Sequence, residues 1–299
     1  MPFCVSDTGV VLFLLGLEKY TPGWRGSLRW SAFEGGAKGT EDAIQTAVRE
    51  FVEESIGVLT DDSGFVDMEL RNQAYAVRLA IRTQSGGGSE HVTFVKQFPY
   101  RADLQDSFLK VRKHLLTLER IGRELEIAAE VLPGQHPYYR GGELIVVDGV
   151  QMIVHAVESI AHCGNGHIRI SLRLREHADM CARMARTIVW MESGSVCESY
   201  VRWHELRLAA TREVEANAYS PAGAVCVERD PLGLVTTVRV NSDFLEKSNV
   251  RLWSIDELRA AVANRAQLDE SFRPYFTIVL ERVLGEFSRP DASRHSRFG

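Results

Sequence analysis

No apolar run in this chain approaches the roughly 18 residues needed to cross a bilayer. The longest, residues 10–17, has the length of a strand. The chain does not open on a basic stretch followed by a long apolar core, so no secretory signal is expected. Cysteines are few, odd in number and scattered (Cys4, Cys163, Cys181, Cys197 and Cys226), which excludes a disulfide framework and points to free thiols in a reducing, cytoplasmic setting. There is no excess of either charge: the formal net charge is -5 with 25% charged residues, so neither a basic nucleic-acid-coating surface nor an acidic tail is indicated. Internal repeats and low-complexity blocks are missing. What remains, 299 residues at 45% apolar content, is enough for one large domain or two smaller ones.

Punctuation by glycine and proline divides the chain. Residues 10–18 predict a buried strand and residues 30–33 a short one ending at Gly35-Gly36. Residues 41–56 carry helical periodicity up to Gly57, a good stop signal. Residues 73–83 and 91–98 predict a hairpin, and residues 107–129 one long helix or two short ones, on recurring apolar positions such as Phe108, Val111, Leu115 and Leu118. The character changes at 132. Residues 143–160, 167–174, 187–191 and 224–229 look like strands, with a helix at 204–215. Strands at 235–240 and 250–253 and helices at 255–263 and 276–287 follow, and a polar tail, 288–299, is expected to be disordered.

The chemistry concentrates in residues 35–58, GGAKGTEDAIQTAVREFVEESIGV. On a helix, Ile44, Ala47, Val48, Phe51 and Val52 share an arc that can face a core. Glu50, Glu53 and Glu54, at i, i+3 and i+4, converge within about 100° of the opposite surface. Three carboxylates this close repel one another, and they sit at the helix end where the macrodipole disfavours negative charge. A solvated acidic face is the plain reading of three such glutamates alone. Hard oxygen donors grouped in this way also suit Mg²⁺ or Mn²⁺, with Arg49 available to orient one of them.

The wider pattern is more specific. Gly35, Glu41, Arg49, Glu50, Phe51, Glu53 and Glu54 match the Nudix box, Gly-x5-Glu-x7-Arg-Glu-apolar-x-Glu-Glu-x-Gly, at seven positions, and the chain resembles the Nudix hydrolases there. One departure follows the carboxylates: Ser55 and Ile56, two residues instead of one, precede Gly57. The resemblance implies an α/β fold, a Nudix-type α/β/α sandwich on a mixed sheet. Its two parts would be residues 1–131 and 232–287, interrupted by a large, β-rich insertion at 132–231. It implies Mg²⁺ or Mn²⁺ held by Glu50, Glu53 and Glu54, with the backbone carbonyl of Glu34 or Gly35 completing the shell and Arg49 orienting the group. Residues 244–259 are similar to the late strand and "Ser-x-x-Glu-Leu" helix of the same family, where an acidic residue serves as second ligand or base. Glu246 is the best match, against the plain reading of an exposed loop glutamate.

The activity implied is metal-dependent cleavage of a phosphoanhydride bond in a nucleoside diphosphate linked to another moiety. Glu54→Gln is expected to leave folding intact and abolish most turnover. An mRNA cap or RNA 5′-end pyrophosphohydrolase and a catalytically silent nucleotide- or RNA-binding module are the alternatives. The partner is a small nucleotide or other diphosphate, with RNA and a second copy of the chain as further candidates and no membrane. No substrate-binding residue is identified. Among weaker features, Cys163 and His167 read as a glycine-rich turn, and His136, Tyr138, Tyr139 and Arg140 as a loop. Lys96, Arg101, Lys110, Arg112, Lys113 and His114 read as a solvated face, and Trp24 and Trp30 as packing around the loop before the box.

Overall fold

The computed structural model describes residues 1–60, 62–72, 76–82, 90–131, 144–147, 150–163, 167–176, 184–192, 195–216, 220–230 and 233–287. In chain order the elements are β1 (Pro2–Val5), β2 (Val11–Glu18), β3 (Trp30–Ser31), α1 (Ala43–Glu54), α2 (Ser63–Arg71), β4 (Ala76–Arg82), β5 (Glu90–Gln97) and α3 (Leu104–Val131). Then come β6 (Leu144–Val147), β7 (Val150–Cys163), β8 (His167–Glu176), β9 (Met184–Glu192), α4 (Ser195–Ala216), β10 (Val225–Arg229) and β11 (Val235–Val240). A 3₁₀ turn (Ser242–Leu245), β12 (Lys247–Ser254), α5 (Ile255–Ala263), α6 (Arg265–Ser271) and α7 (Pro274–Phe287) complete the fold, which is mixed α/β. No helix among the described residues is long and apolar enough to cross a membrane.

Two compact units emerge: Met1–Leu115 with Tyr219–Ala224 and Asn241–Gly299, and Leu116–Ala218 with Val225–Val240. The division falls inside α3 and after β11, whereas the composition change in the sequence suggested 131/132 and 231/232.

The first unit is built on a mixed sheet in the order β12-β2-β1-β5-β4, with β3 paired to β2. β1 and β5 run parallel and the other pairs antiparallel. Strand β2 is covered on both faces, so its sequence VLFLLGLE is almost wholly apolar. Its alternation sends Phe13 and Leu15 into a core with Trp253, Leu258, Phe276, Val279, Leu280 and Val283, which β12, α5 and α7 supply. Leu14, Gly16 and Glu18 lie on the other face. Helix α5 starts on a capping box between Ser254 and Glu257.

Helix α1 begins on a second capping box, Asp42 with Gln45. Its exit explains the departure from the box pattern. The Ile56 N–H donates to the Glu53 carbonyl and the Gly57 N–H to the Val52 carbonyl, the paired bonds of a Schellman turn. Ile56 therefore takes the left-handed position, φ 47, normally filled by glycine, and Gly57 follows at φ 66. The helix ends where the pattern ends it, with Ile56 standing at the pattern's glycine position and no residue inserted. A β-branched residue there is strained by about 1–3 kcal/mol. Complete burial of the Ile56 side chain, worth about 1.5–3 kcal/mol, offsets it.

The second unit contains an antiparallel meander, β6-β7-β8-β9, and the pair β10-β11. Cys163 and His167 are register partners at the ends of β7 and β8; residues 164–166 between them lie outside the described residues, as do His136 to Arg140 and the tail. Leu118, Ile121 and Leu125 of α3 form a core with Ala210 of α4 and Val235 and Val238 of β11. These positions, i, i+3 and i+7, make one helical stripe, which is why the unit starts within α3. Gly122 lies in that stripe, and a Cβ there would stand 2.1 Å from the Val238 carbonyl oxygen. Helix propensity alone favours Gly122→Ala by about 0.5–1 kcal/mol. The backbone contact reverses the sign: overpacking of about 1–3 kcal/mol is expected, read as a lower melting temperature.

Candidate active site

Arg49, at the end of the second turn of α1, holds the box together. Its Nε and Nη2 donate to the two oxygens of Glu41 at 2.8 and 3.0 Å. Nη1 donates to Glu50 Oε1 at 2.6 Å and Glu53 Oε2 at 2.9 Å, and Nη2 also reaches the Gly36 carbonyl at 2.8 Å. A planar guanidinium suits this task, because its fork is preorganised for carboxylates. The Arg49 hydrogen bonds, with the Lys38 N–H, hold the Glu41 carboxyl down at about 2. Burial raises the Glu50 carboxyl above the usual range against the pull of Arg49, and Glu53 and Glu246 push it further in the same direction. Glu50, Glu53 and Glu246 are thus one electrostatic neighbourhood. Glu246 stands half-buried just after the 3₁₀ turn, where its own carbonyl accepts from the Lys19 N–H.

The loop before α1 is tied at both ends. The Glu34 N–H donates to Glu54 Oε2 at 2.8 Å, and the Gly36 carbonyl is held by Arg49. Between them Gly35 lies against the Glu50 carboxylate: a Cβ would sit 2.0 Å from Glu50 Oε1, while one on Gly36 would meet nothing within 4 Å. Gly35→Ala is therefore expected to displace Glu50 and cost about 1–3 kcal/mol. Gly36→Ala should leave the melting temperature unchanged, and the paired melts check the contrast.

Glu54 faces elsewhere. It is 2% exposed, and its Oε1 pairs with Lys247 Nζ at 3.0 Å. Lys247 Nζ also contacts Glu18 Oε1 at 2.6 Å and donates to Ser31 Oγ at 2.8 Å, and Ser31 donates in turn to Glu18. Arg273 bridges Glu18 at 3.0 Å and Glu34 at 3.1 Å. The Lys247 side chain has no exposed surface. Burial works against its charge, but Glu54 and Glu18 more than compensate, and its net shift is upward. Burial pushes the Glu54 carboxyl up to about 8, with Lys247 pulling the other way. Substitution at so enclosed a carboxylate is expected to lower the melting temperature of a chain that still folds, so Glu54→Gln is not the thermally silent change the sequence suggested.

A divalent ion needs several oxygen donors with lone pairs to offer. Glu50 Oε2 and Glu53 Oε1 make no hydrogen bond or ion pair among the described residues, and both fit such an ion. Both Glu54 oxygens are engaged, so Glu54 does not fit it as the side chain stands. Among the described residues no three His, Cys, Asp or Glu side chains already converge on one metal position. Beside Glu50 and Gly35 opens a cavity of about 370 Å³, whose wall includes Phe33, Phe51, Phe98 and Lys96.

The structure thus brings Glu41, Arg49, Glu50, Glu53 and Gly35 together and places Glu246 near Glu50. It holds the Glu34 side chain on Arg273, with His91 Nε2 at 3.8 Å. Sequence reasoning missed Glu18, Ser31, Lys247 and Arg273. The available signals were a glutamate closing an apolar strand and a glycine within it. The row from Lys96 to His114 is mixed: Arg101, Lys110 and Lys113 are exposed, as a solvated face requires, whereas His114 is buried, Lys96 is buried on Glu69 at 2.6 Å, and Arg112 donates to the Lys247 carbonyl. Trp24 lies under the Arg273 guanidinium, and Trp30 packs edge-on against Trp253. Comparison with protein-family models, curated proteins and solved structures gave no match.

Proposed function

We propose that this protein is a Nudix-type pyrophosphohydrolase: a metal-dependent enzyme that cleaves a diphosphate bond in a nucleotide-like substrate, on an α/β/α sandwich of that type. The single observation that carries the reading is the Arg49 fork. It pins Glu41, Glu50 and Glu53 while leaving Glu50 Oε2 and Glu53 Oε1 open, beside a glycine loop and a cavity. A solvated acidic face has no need of such a clamp.

Glu50 and Glu53 would hold Mg²⁺ or Mn²⁺, with Glu246 as the third carboxylate. When bound, such an ion neutralises phosphate charge and lowers the pKa of its water. Arg49 fixes the rotamers of both ligands, so the donors need not reorganise as charge develops on the phosphate. Glu246, an electrostatic neighbour of Glu50 that Arg49 does not hold, would accept a proton from the attacking water. The loop at Gly35, tied to Glu54 and Arg49, keeps the backbone close to the reacting phosphates. The cavity, with four phenylalanines on its wall, suits the non-phosphate moiety, a flat apolar group such as a base.

A second reading, a silent nucleotide-binding module, is favoured by one observation: the Lys247 ammonium already supplies Glu54 with positive charge. Product analysis over nucleoside triphosphates, nucleotide sugars, dinucleoside polyphosphates and capped RNA, with and without Mg²⁺, separates the two. The hydrolase reading expects phosphomonoester products from one class, only with Mg²⁺. Binding without turnover across the panel supports the silent module.

A further inference from the structure

Lys247 is hard to account for as ordinary packing. A lysine side chain with no exposed surface lies in the interior of the first unit, between β2 and α1, on two buried carboxylates and a serine hydroxyl. The fold makes room for it. Lys247 is the register partner of Glu18 across β12 and β2, and a bulge between Lys247 and Asn249 shifts the pairing beyond it. The aliphatic stem passes over Gly16, where a Cβ would come within 2.8 Å of Lys247 Cδ. A strand-centre glycine, a bulge and a buried glutamate therefore serve one ammonium.

We propose that Lys247 is a built-in cation standing where the glutamate cluster would otherwise hold a second divalent ion. It takes Glu54 out of the ligand set and turns that carboxylate into a positioning group for the loop. The ammonium binds Glu54 Oε1, which leaves Oε2 aimed at the Glu34 N–H, the first residue of the glycine loop. Metal binding then rests on Glu50 and Glu53, with Glu246. This deepens the pyrophosphohydrolase reading and rests on it only for the Glu50–Glu53 ion.

The test is Mn²⁺ binding to the full chain, by calorimetry and by the electron paramagnetic resonance of free Mn²⁺, with circular dichroism melts to confirm folding. Glu53→Gln should weaken Mn²⁺ by more than about tenfold, since a hard cation loses a charged ligand, and Glu54→Gln by less than about threefold, since Glu54 reaches the site through the Glu34 N–H and its glutamine keeps an oxygen for that bond. Lys247→Met removes the ammonium from Glu54 and Glu18 and should gain one Mn²⁺ equivalent. Glu54→Gln weakening Mn²⁺ as far as Glu53→Gln does would overturn the proposal, as would a folded Lys247→Met with no added ion. Should Lys247→Met fail to fold, the two glutamine variants decide. A wild-type chain that takes up no Mn²⁺ removes the hydrolase reading by itself. The Lys247 assignment then stands if Lys247→Met gains an ion and falls if it does not.

Discussion

Lys247→Met is expected to lower stability by about 3–5 kcal/mol, the usual consequence of removing one partner of a buried ion pair. Methionine fills most of the volume of the lysine stem, so little of the loss comes from a cavity. It comes from Glu54 and Glu18, which are 2% and 3% exposed and lose a shared counter-charge. Glu18 keeps Arg273 and Ser31, whereas Glu54 keeps, among the described residues, only the Glu34 N–H. Adding Glu54→Gln to Lys247→Met should therefore recover part of the loss by removing the stranded carboxylate. At about 2–4 °C per kcal/mol, the single variant should melt roughly 10 °C lower. A loss under about 1 kcal/mol would mean that the pair is solvated, as exposed ion pairs are.

Glu53→Gln is expected to reduce Mg²⁺-dependent turnover by about 10²–10³-fold while leaving the fold in place, equivalent to about 2.7–4 kcal/mol of transition-state stabilisation. The glutamine keeps an oxygen for Arg49 but lacks the charge a hard cation needs. Arg49, the partner of Glu53, keeps Glu41, Glu50 and the Gly36 carbonyl, so neutralising Glu53 does not strand a buried charge. The same change at Glu50 should act in the same direction. The contrast with Lys247 is diagnostic: one variant loses activity and keeps its melting temperature, and the other loses its melting temperature first.

These two residues also show what the sequence could reveal. The box helix was legible because local rules govern it: a 3.6-residue apolar stripe and charges three and four residues apart. The Arg49 clamp was half-legible, since Arg49 to Glu53 is an i,i+4 pair, but its hold on Glu41 and Gly36 required the loop to fold back. Lys247 was invisible because its partners lie 229 and 193 positions away, and a bulge in β12 decides which side chain points inward. Ile56 misled in a different way. Gly57 resembles the helix stop, while the left-handed turn falls one residue earlier, held there by burial of the isoleucine. β1 and α2 went unread because they are thin in signal: β1 has four residues, and α2 buries only Val66 and Leu70. The strands and helix between 143 and 229 were seen as elements, but the unit that holds them was set by the α3 stripe from Leu118 to Leu125, which looks continuous with the rest of its helix.

The most direct test of the central claim is hydrolysis in heavy-oxygen water. Purified full-length protein, Mg²⁺ and the diphosphate panel are incubated, and the products are weighed by mass spectrometry, with Glu53→Gln as the blank. Attack of water on phosphorus places one heavy oxygen on a phosphate of one product, only with Mg²⁺ and only in the wild-type chain. Unlabelled phosphate products, equal labelling in the blank, or no cleavage of any diphosphate would contradict it.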